Sequence, residues 1–197
     1  MDERDLDPDP IRAFATWFGE AVAARIAQPE AMALATSTPD GRPTLRMVLL
    51  KGHDERGFRF FTNHESRKGH ELAANPHAAL VLYWQPLNRQ VRIEGTAERT
   101  TAAESEAYFA SRAPGSQVAA WASPQSQPIT GREQLDARYE EVEARFPAGD
   151  VPLPPFWGGY RVIPEAIEFW QGRENRFHDR VRYERTAHSW TRTRLAP

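Results

Sequence analysis

Beyond about residue 30 the apolar residues of this chain come in short runs, each closed by a turn signal, and few folds accommodate that pattern. Residues 31–37 form one run, Pro39-Asp40-Gly41 a turn, and residues 45–51 the next run. Asp54-Glu55-Arg56-Gly57 turns the chain again before a strand over 58–62. Two more strands are expected at 78–84 and 90–99. In the second, Val91, Ile93 and Gly95 alternate with Gln90, Arg92 and Glu94, which gives one apolar and one polar face. Short strands are expected again at 159–162, 167–170, 180–183 and 190–194.

Helical spacing interrupts this pattern. Ile11, Phe14, Phe18, Val22 and Ile26 predict a helix over 10–27, capped by Asp9 with Pro10 in its first turn. Shorter helices are expected over 66–75, stopped by Pro76, and from the cap Thr101, with Glu104 at the capping-box position, to about Arg112. Residues 123–128 read as a loop, 131–146 as a helix and 147–155 as extended chain. Helices do not alternate regularly with strands, so a doubly wound sheet is disfavoured. The expected class is mainly β: a mostly antiparallel barrel with helical additions. No repeat or linker divides the 197 residues, a length that suits one domain spanning 1–197.

Composition narrows the chemistry. Cysteine is absent, which removes disulfides, thiolate metal sites and cysteine nucleophiles. The formal charge of −2 gives no support to nucleic-acid binding. No apolar run approaches the roughly 18 residues of a membrane span, and the acidic start is not a signal peptide, so a cytoplasmic protein is expected. Arginine is concentrated locally, at Arg173, Arg176, Arg180 and Arg182, which fits either small anionic ligands or a solvated hairpin. There is no G-x-G-x-x-G, Walker loop, H-E-x-x-H or G-x-S-x-G, so no metal site is expected and a nucleotide cofactor would bind outside a Rossmann domain.

Three segments could carry chemistry. Arg67 and Lys68 open a short helix behind the cap Ser66, where the helix dipole disfavours cations; an anion there would reverse that sign, and the alternative is two solvated side chains. Arg46 and Lys51 bracket an apolar strand and fall on opposite faces by strict alternation, so a shared target is left open. Around residues 170–180, Trp170 could pack a planar ring, Arg176 and Arg180 could neutralise anions, and His178 could hydrogen-bond a hydroxyl or amine. Gln90, Gln125 and Ser126 could hydrogen-bond a heterocycle or phosphate, though singly they read as ordinary surface residues.

Together these segments resemble the pyridoxamine 5′-phosphate oxidase family over nearly the whole chain. The resemblance rests on RMVLLK at 46–51, FFTN at 60–63, SRKGHEL at 66–72, RQVRIEG at 89–95, YFASR at 108–112, SQVAAWAS at 116–123 and QSQPI at 125–129. It continues through VPLPPFWGGYRV at 151–162, IEFWQG at 167–172, RFHDR at 176–180 and RLAP at 194–197, in matching order and spacing. It implies an FMN-binding split β-barrel that works as a homodimer, with a C-terminal dimerisation region over about 151–197 and each FMN at the subunit interface. By resemblance the FMN contacts are Arg46, Met47, Val48, Leu49, Leu50, Lys51, Phe61, Thr62, Arg67, Lys68, Gln90, Gln125, Ser126, Trp170 and Arg180. Substrate contacts carry over to Lys51, Tyr108, Arg112 and Ser116, mostly for a phosphate. Arg176, Phe177 and His178 fall near the reacting carbon, with Arg176 and His178 catalytic.

The implied reaction is oxidation of pyridoxine or pyridoxamine 5′-phosphate to pyridoxal 5′-phosphate, with dioxygen as acceptor and hydrogen peroxide released. Phe61 stands where the family often has tyrosine, and Phe177 where it usually has leucine. The sequence also starts without the basic, tyrosine-containing segment that covers the substrate in some members. The competing expectations are a sister flavin oxidase acting on a phenazine precursor, which Lys51, Tyr108, Arg112 and Ser116 disfavour, and a non-catalytic flavin- or pyridoxal-phosphate-binding protein. Neither membrane nor nucleic-acid partners are expected.

Overall fold

In the computed structural model, residues 1, 3–147 and 149–197 are described; Asp2 and Ala148 lie outside the described residues, and with Ala148 one position of the extended stretch expected over 147–155. Asp9 caps the first helix, α1 (Pro10–Ala23), accepting from the Ile11 N–H at 2.8 Å with Pro10 in the first turn. The helix ends four residues before the expected 27, because Arg25 (φ 54°) and Gln28 (φ 52°) adopt left-handed backbone. Its apolar face seats Phe14 in the core, edge-on to Phe58 at 4.9 Å and His53 at 5.0 Å. Burying one such ring contributes about 2–3 kcal/mol.

The strands follow as β1 (Ala31–Ser37), β2 (Pro43–Leu49), β3 (Gly52–Asp54), β4 (Gly57–Asn63), β5 (His77–Trp84), β6 (Arg89–Arg99), β7 (Trp157–Gln171), β8 (Asp179–Arg185) and β9 (Trp190–Leu195). Helices α2 (Arg67–Ala74), α3 (Ala102–Ala110), α4 (Pro114–Ala122) and α5 (Arg132–Arg145) fill the gaps. The strands form one sheet in the order β2-β1-β5-β6-β7-β4-β3, with β8 on the far half of β7 and β9 on β8; every pairing is antiparallel.

The two edge strands of that order, β2 and β3, are joined by Leu50 and Lys51 alone, a span of at most about 11 Å. The Leu50 N–H donates to Glu30 O on the β1 side at 2.9 Å, and the Lys51 N–H donates to Arg59 O on β4 at 2.8 Å. The sheet therefore curls until its edges meet, and the seam stays open there: a split barrel. Inside are Leu34, Phe60, Leu82, Ile93, Val162 and Phe169, all essentially inaccessible. No helix among the described residues is long and apolar enough to cross a membrane.

Several further elements differ from the sequence expectation. The strands at 159–162 and 167–170 are one strand, β7, running through Pro164 at a register shift between Glu94 and Gly95 of β6. A bulge tolerates proline because it needs no ladder N–H. Gly95 is obligatory there, since a Cβ would meet the Ile163 carbonyl oxygen at 2.0 Å. Helix α4 was not expected, and α3 ends at Ala110 rather than near Arg112. The strand expected over 45–51 stops at Leu49, and β3 takes up residues 52–54.

Candidate active site

At the open seam lies a cavity of about 280 Å³. Strand β2 contributes Arg46, Met47, Val48 and Leu49, the seam crossing Lys51, β4 Phe61 and Thr62, and α2 Lys68. Tyr108 and Arg112 enter from α3 and its exit, Gln125 from the loop after α4, and Trp157 from the start of β7. Arg46 and Lys51 thus share one cavity although strand alternation separates them, because the chain leaves β2 before Lys51. Arg46, Lys51, Lys68 and Arg112 line it, and no carboxylate among the described lining residues does.

At one end Ser66 caps α2, accepting from the Gly69 N–H at 3.3 Å, which places Lys68 over the cavity. The Lys68 ammonium donates to Gln125 Oε1 at 3.0 Å and Thr62 Oγ1 at 3.3 Å, while Thr62 donates to the same Gln125 oxygen at 2.9 Å. Burial, and then the nearby Arg46, lower the Lys68 pKa, with Glu71 opposing them. An anion in the cavity would relieve both effects. Arg67 does not join Lys68 around the cavity: 65% exposed, it turns to donate to Glu71 Oε1 at 2.9 Å.

Glu71, which the sequence reading passed over, organises this end from behind. It is only 5% exposed and accepts from Thr36 Oγ1 (2.5 Å), Thr44 Oγ1 (2.6 Å), Arg46 Nη2 (3.1 Å) and Arg67. Burial alone would raise its pKa; the four donors overcome that and hold it down at about 2. Its spacing of four from Arg67 was the one signal in the sequence.

The other end is aromatic. Phe61 and Tyr108 stack at 4.0 Å, and Trp157 lies nearly parallel to both, 5.6 Å from Phe61 and 6.1 Å from Tyr108. Arg112 sits over the Trp157 ring, and its Nη1 is buried with no hydrogen-bond partner among the described residues. Burial lowers the Arg112 pKa, with Tyr108 opposing. Trp157 was also missed: one aromatic at a strand start carries no pattern. Besides Arg67 and the candidates at Gln90 and over 170–180, three expected contacts do not line this cavity. Leu50 is in the core, Ser116 is exposed in the first turn of α4, and Ser126 is exposed with φ 72°.

The remaining site candidates gather elsewhere. Gln90 pairs with Trp170 across β6–β7, and Trp170 with Arg180 across β7–β8. Arg180 forms a two-pronged ion pair with the buried Glu168, at 2.8 and 3.1 Å. The His178 ring is 4.6 Å from that of Trp170, and its Nδ1 accepts from the Arg173 N–H at 3.1 Å. Before it, Asn175 (φ 55°) and Arg176 (φ 61°) are consecutive left-handed residues, a conformation that costs on the order of 1–2 kcal/mol each for a side chain-bearing residue. Arg176 is exposed without a partner among the described residues, and Phe177 is 80% exposed. This second group sits at the far end of β7 from Gly159, which pairs with Phe61; the eleven intervening steps amount to on the order of 36 Å of strand. One copy of the chain therefore carries two separated half-sets.

Matches to known proteins cover both groups of residues. Residues 18–146 match the family described as pyridoxamine 5′-phosphate oxidase, and residues 157–197 match the pyridoxine 5′-phosphate oxidase C-terminal dimerisation region. The pyridoxine/pyridoxamine 5′-phosphate oxidase of Rubrobacter xylanophilus is 60% identical over 99% of this chain and 90% of its own length. The crystal structure of PhzG from Burkholderia lata 383, in complex with tetrahydrophenazine-1-carboxylic acid, is 36% identical over 98% of this chain and 95% of that one, with a TM-score of 0.93. A pyridoxamine 5′-phosphate oxidase-related, FMN-binding protein from Nostoc punctiforme shares the fold at 17% identity and a TM-score of 0.76, covering 98% of this chain and all of its own.

Proposed function

The chain belongs to the pyridoxamine 5′-phosphate oxidase family, and from that premise we propose that it oxidises pyridoxine 5′-phosphate or pyridoxamine 5′-phosphate to pyridoxal 5′-phosphate with FMN and dioxygen. The observation that carries this reading is the cavity itself: among the described residues four cations line it without a lining carboxylate, and the buried Nη1 of Arg112 has no partner. Such a donor set fits two phosphates, one at the Lys68 end and one at the Arg112 end.

In this reading Arg46, Lys68, Thr62 and Gln125 hold the flavin phosphate, with Arg67 and Ser126 at its margin. The backbone and side chains of 46–51 and Phe61 support the rest of the cofactor. Lys51, Tyr108, Arg112 and Ser116 take the substrate phosphate. Gln90, Trp170, Arg176, Phe177, His178 and Arg180 reach the same site from a second copy, since one chain keeps them at the other end of β7. A homodimer also covers the apolar stripe of edge strand β2, where Leu45 is 69% and Met47 65% exposed.

FMN held there would supply the redox chemistry: acceptance of the hydride lost from C4′ of the substrate, and reoxidation by dioxygen to give hydrogen peroxide. The chain's own residues bind and orient. Because His178 Nδ1 accepts the Arg173 N–H, a ring proton on Nε2 is the one available to hydrogen-bond the C4′ oxygen or nitrogen. Arg176, held in its left-handed turn, faces the same substituent and orients it, and the proton that the substituent loses passes to water, because a guanidinium cannot take it up. The alcohol then becomes the aldehyde directly, and the amine becomes an imine that water hydrolyses.

Likeness to PhzG supports a second reading, a phenazine-type substrate on the same scaffold. Aerobic turnover of pyridoxine 5′-phosphate by FMN-loaded protein separates the two. Pyridoxal 5′-phosphate and hydrogen peroxide appearing in equal amounts supports the first reading; FMN retention with neither product moves the substrate to phenazine-like acids.

A further inference from the structure

Most site arginines already have a counterion. Arg46 and Arg67 share Glu71, and Arg180 is paired with Glu168. Arg112 has no carboxylate within ion-pair distance among the described residues. Its guanidinium carbon lies 4.8 Å from the centroid of the Trp157 ring and 5.6 Å from that of Phe109.

The two kinds of partner have different consequences for a ligand. A carboxylate fixes an arginine by occupying its N–H groups and cancelling its charge. An aromatic face attracts the cation through the ring quadrupole and leaves charge and in-plane donors free. The Trp157 ring is itself held in place: Phe61 and Tyr108 lie nearly parallel to it, and Phe109 meets it edge-on at 5.2 Å. It is 9% exposed and pairs with Asn63 at the end of the β4–β7 ladder.

We propose that Trp157 is a positioning residue for substrate binding: its ring holds Arg112 over the cavity with its full charge and a free N–H reserved for the substrate's phosphate. This deepens the function proposed above and rests on its reading of Arg112 as a phosphate contact. Trp157 does not touch the reacting atoms, so its effect falls on affinity for phosphorylated ligands and leaves flavin binding alone.

The test is a double-mutant cycle on FMN-loaded protein, reading the affinity for pyridoxal 5′-phosphate and for inorganic phosphate by calorimetry, independently of turnover. W157L is expected to weaken both ligands about tenfold and W157F about threefold, with FMN content unchanged. In an R112A background either substitution should add less than twofold, because the group it positions is gone. Equal losses with and without Arg112, FMN loss in parallel, or a change below twofold in W157L would each overturn the proposal. If W157L does not fold, W157F in the two backgrounds decides alone. Wild-type protein that binds neither ligand also overturns it, whereas binding without turnover sinks only the oxidase reading.

Discussion

Replacing Glu71 by glutamine keeps the shape of the side chain and removes its charge from between Arg46, Arg67, Thr36 and Thr44. The carboxyl is held at about 2 against an ordinary 4.5; at about 1.4 kcal/mol per tenfold change in proton affinity, that displacement is worth about 3 kcal/mol of folding free energy. The folded-state value lies below the unfolded one. The contribution is therefore complete above about pH 4.5 and disappears as pH falls toward 2. Glutamine still accepts through one oxygen, so the expected loss at pH 7 is about 2–3 kcal/mol. For a chain of this length that lowers Tm by roughly 5–10 °C. Chemical denaturation of FMN-stripped wild-type and E71Q protein, at matched concentration because assembly affects stability, would be followed from pH 7 to 3. The two stabilities should converge below pH 4.5, as the Glu71 carboxylate of the unfolded wild-type chain takes up a proton that the folded one still refuses. A gap that stays constant with pH, or one under about 1 kcal/mol at pH 7, refutes the role of that charge.

Arg176→Ala is expected to cut turnover about 100-fold or more while changing FMN retention little, and equal loss of both sinks its placement at the reacting carbon. H178Q keeps a donor and discards basicity, so it should stay within about tenfold of wild type where H178A loses about 100-fold; equal inactivity would show that His178 acts as a base. L45D places a carboxylate on the exposed stripe of β2, outside the cavity lining, and should convert dimer to monomer in sedimentation, with FMN lost in step. A dimer that persists would remove β2 from the interface.

The alternating faces of β6 and the caps of α1, α2 and α3 were legible because each depends on residues next to each other in the sequence: Asp9 before Pro10, Ser66 three before Gly69, Thr101 three before Glu104. Helix α4 was not, because its start has no side-chain cap: Ala113 occupies that position, and only Pro114 marks the first turn. Strand β7 read as two pieces because Pro164 and Glu165 break the apolar run at the point where Gly95 makes room for the bulge. Glu71 and Trp157 were illegible for another reason. Each acts through a partner distant in sequence, Glu71 through Thr36 and Arg46, and Trp157 through Arg112. A polar residue inside a short helix and an aromatic at a strand start have many uses, and only the assembled fold selects one.

Arg46 and Lys51 show how far local rules reach. Alternation assigns them to opposite faces, and for a continuous strand that assignment holds. The chain stops being one strand at Leu49, however, and the next two residues answer to different neighbours: Leu50 bonds toward Glu30 and is buried in the core, while Lys51 bonds to Arg59 of β4 and lines the cavity. The crossing brings the edges β2 and β3 together without pairing them. A paired seam would place ladder hydrogen bonds where the cavity now lies. Because the barrel stays split, Arg46 from one side and Lys51, Thr62 and Lys68 from the other converge on an opening that one chain does not fill. The exposed Leu45 and Met47 beside that opening, and Arg176, exposed past the end of β7 without a partner among the described residues, are then two parts of one requirement. A second copy that covers the first can deliver the second, which is why loss of the dimer in L45D is expected to carry FMN away with it.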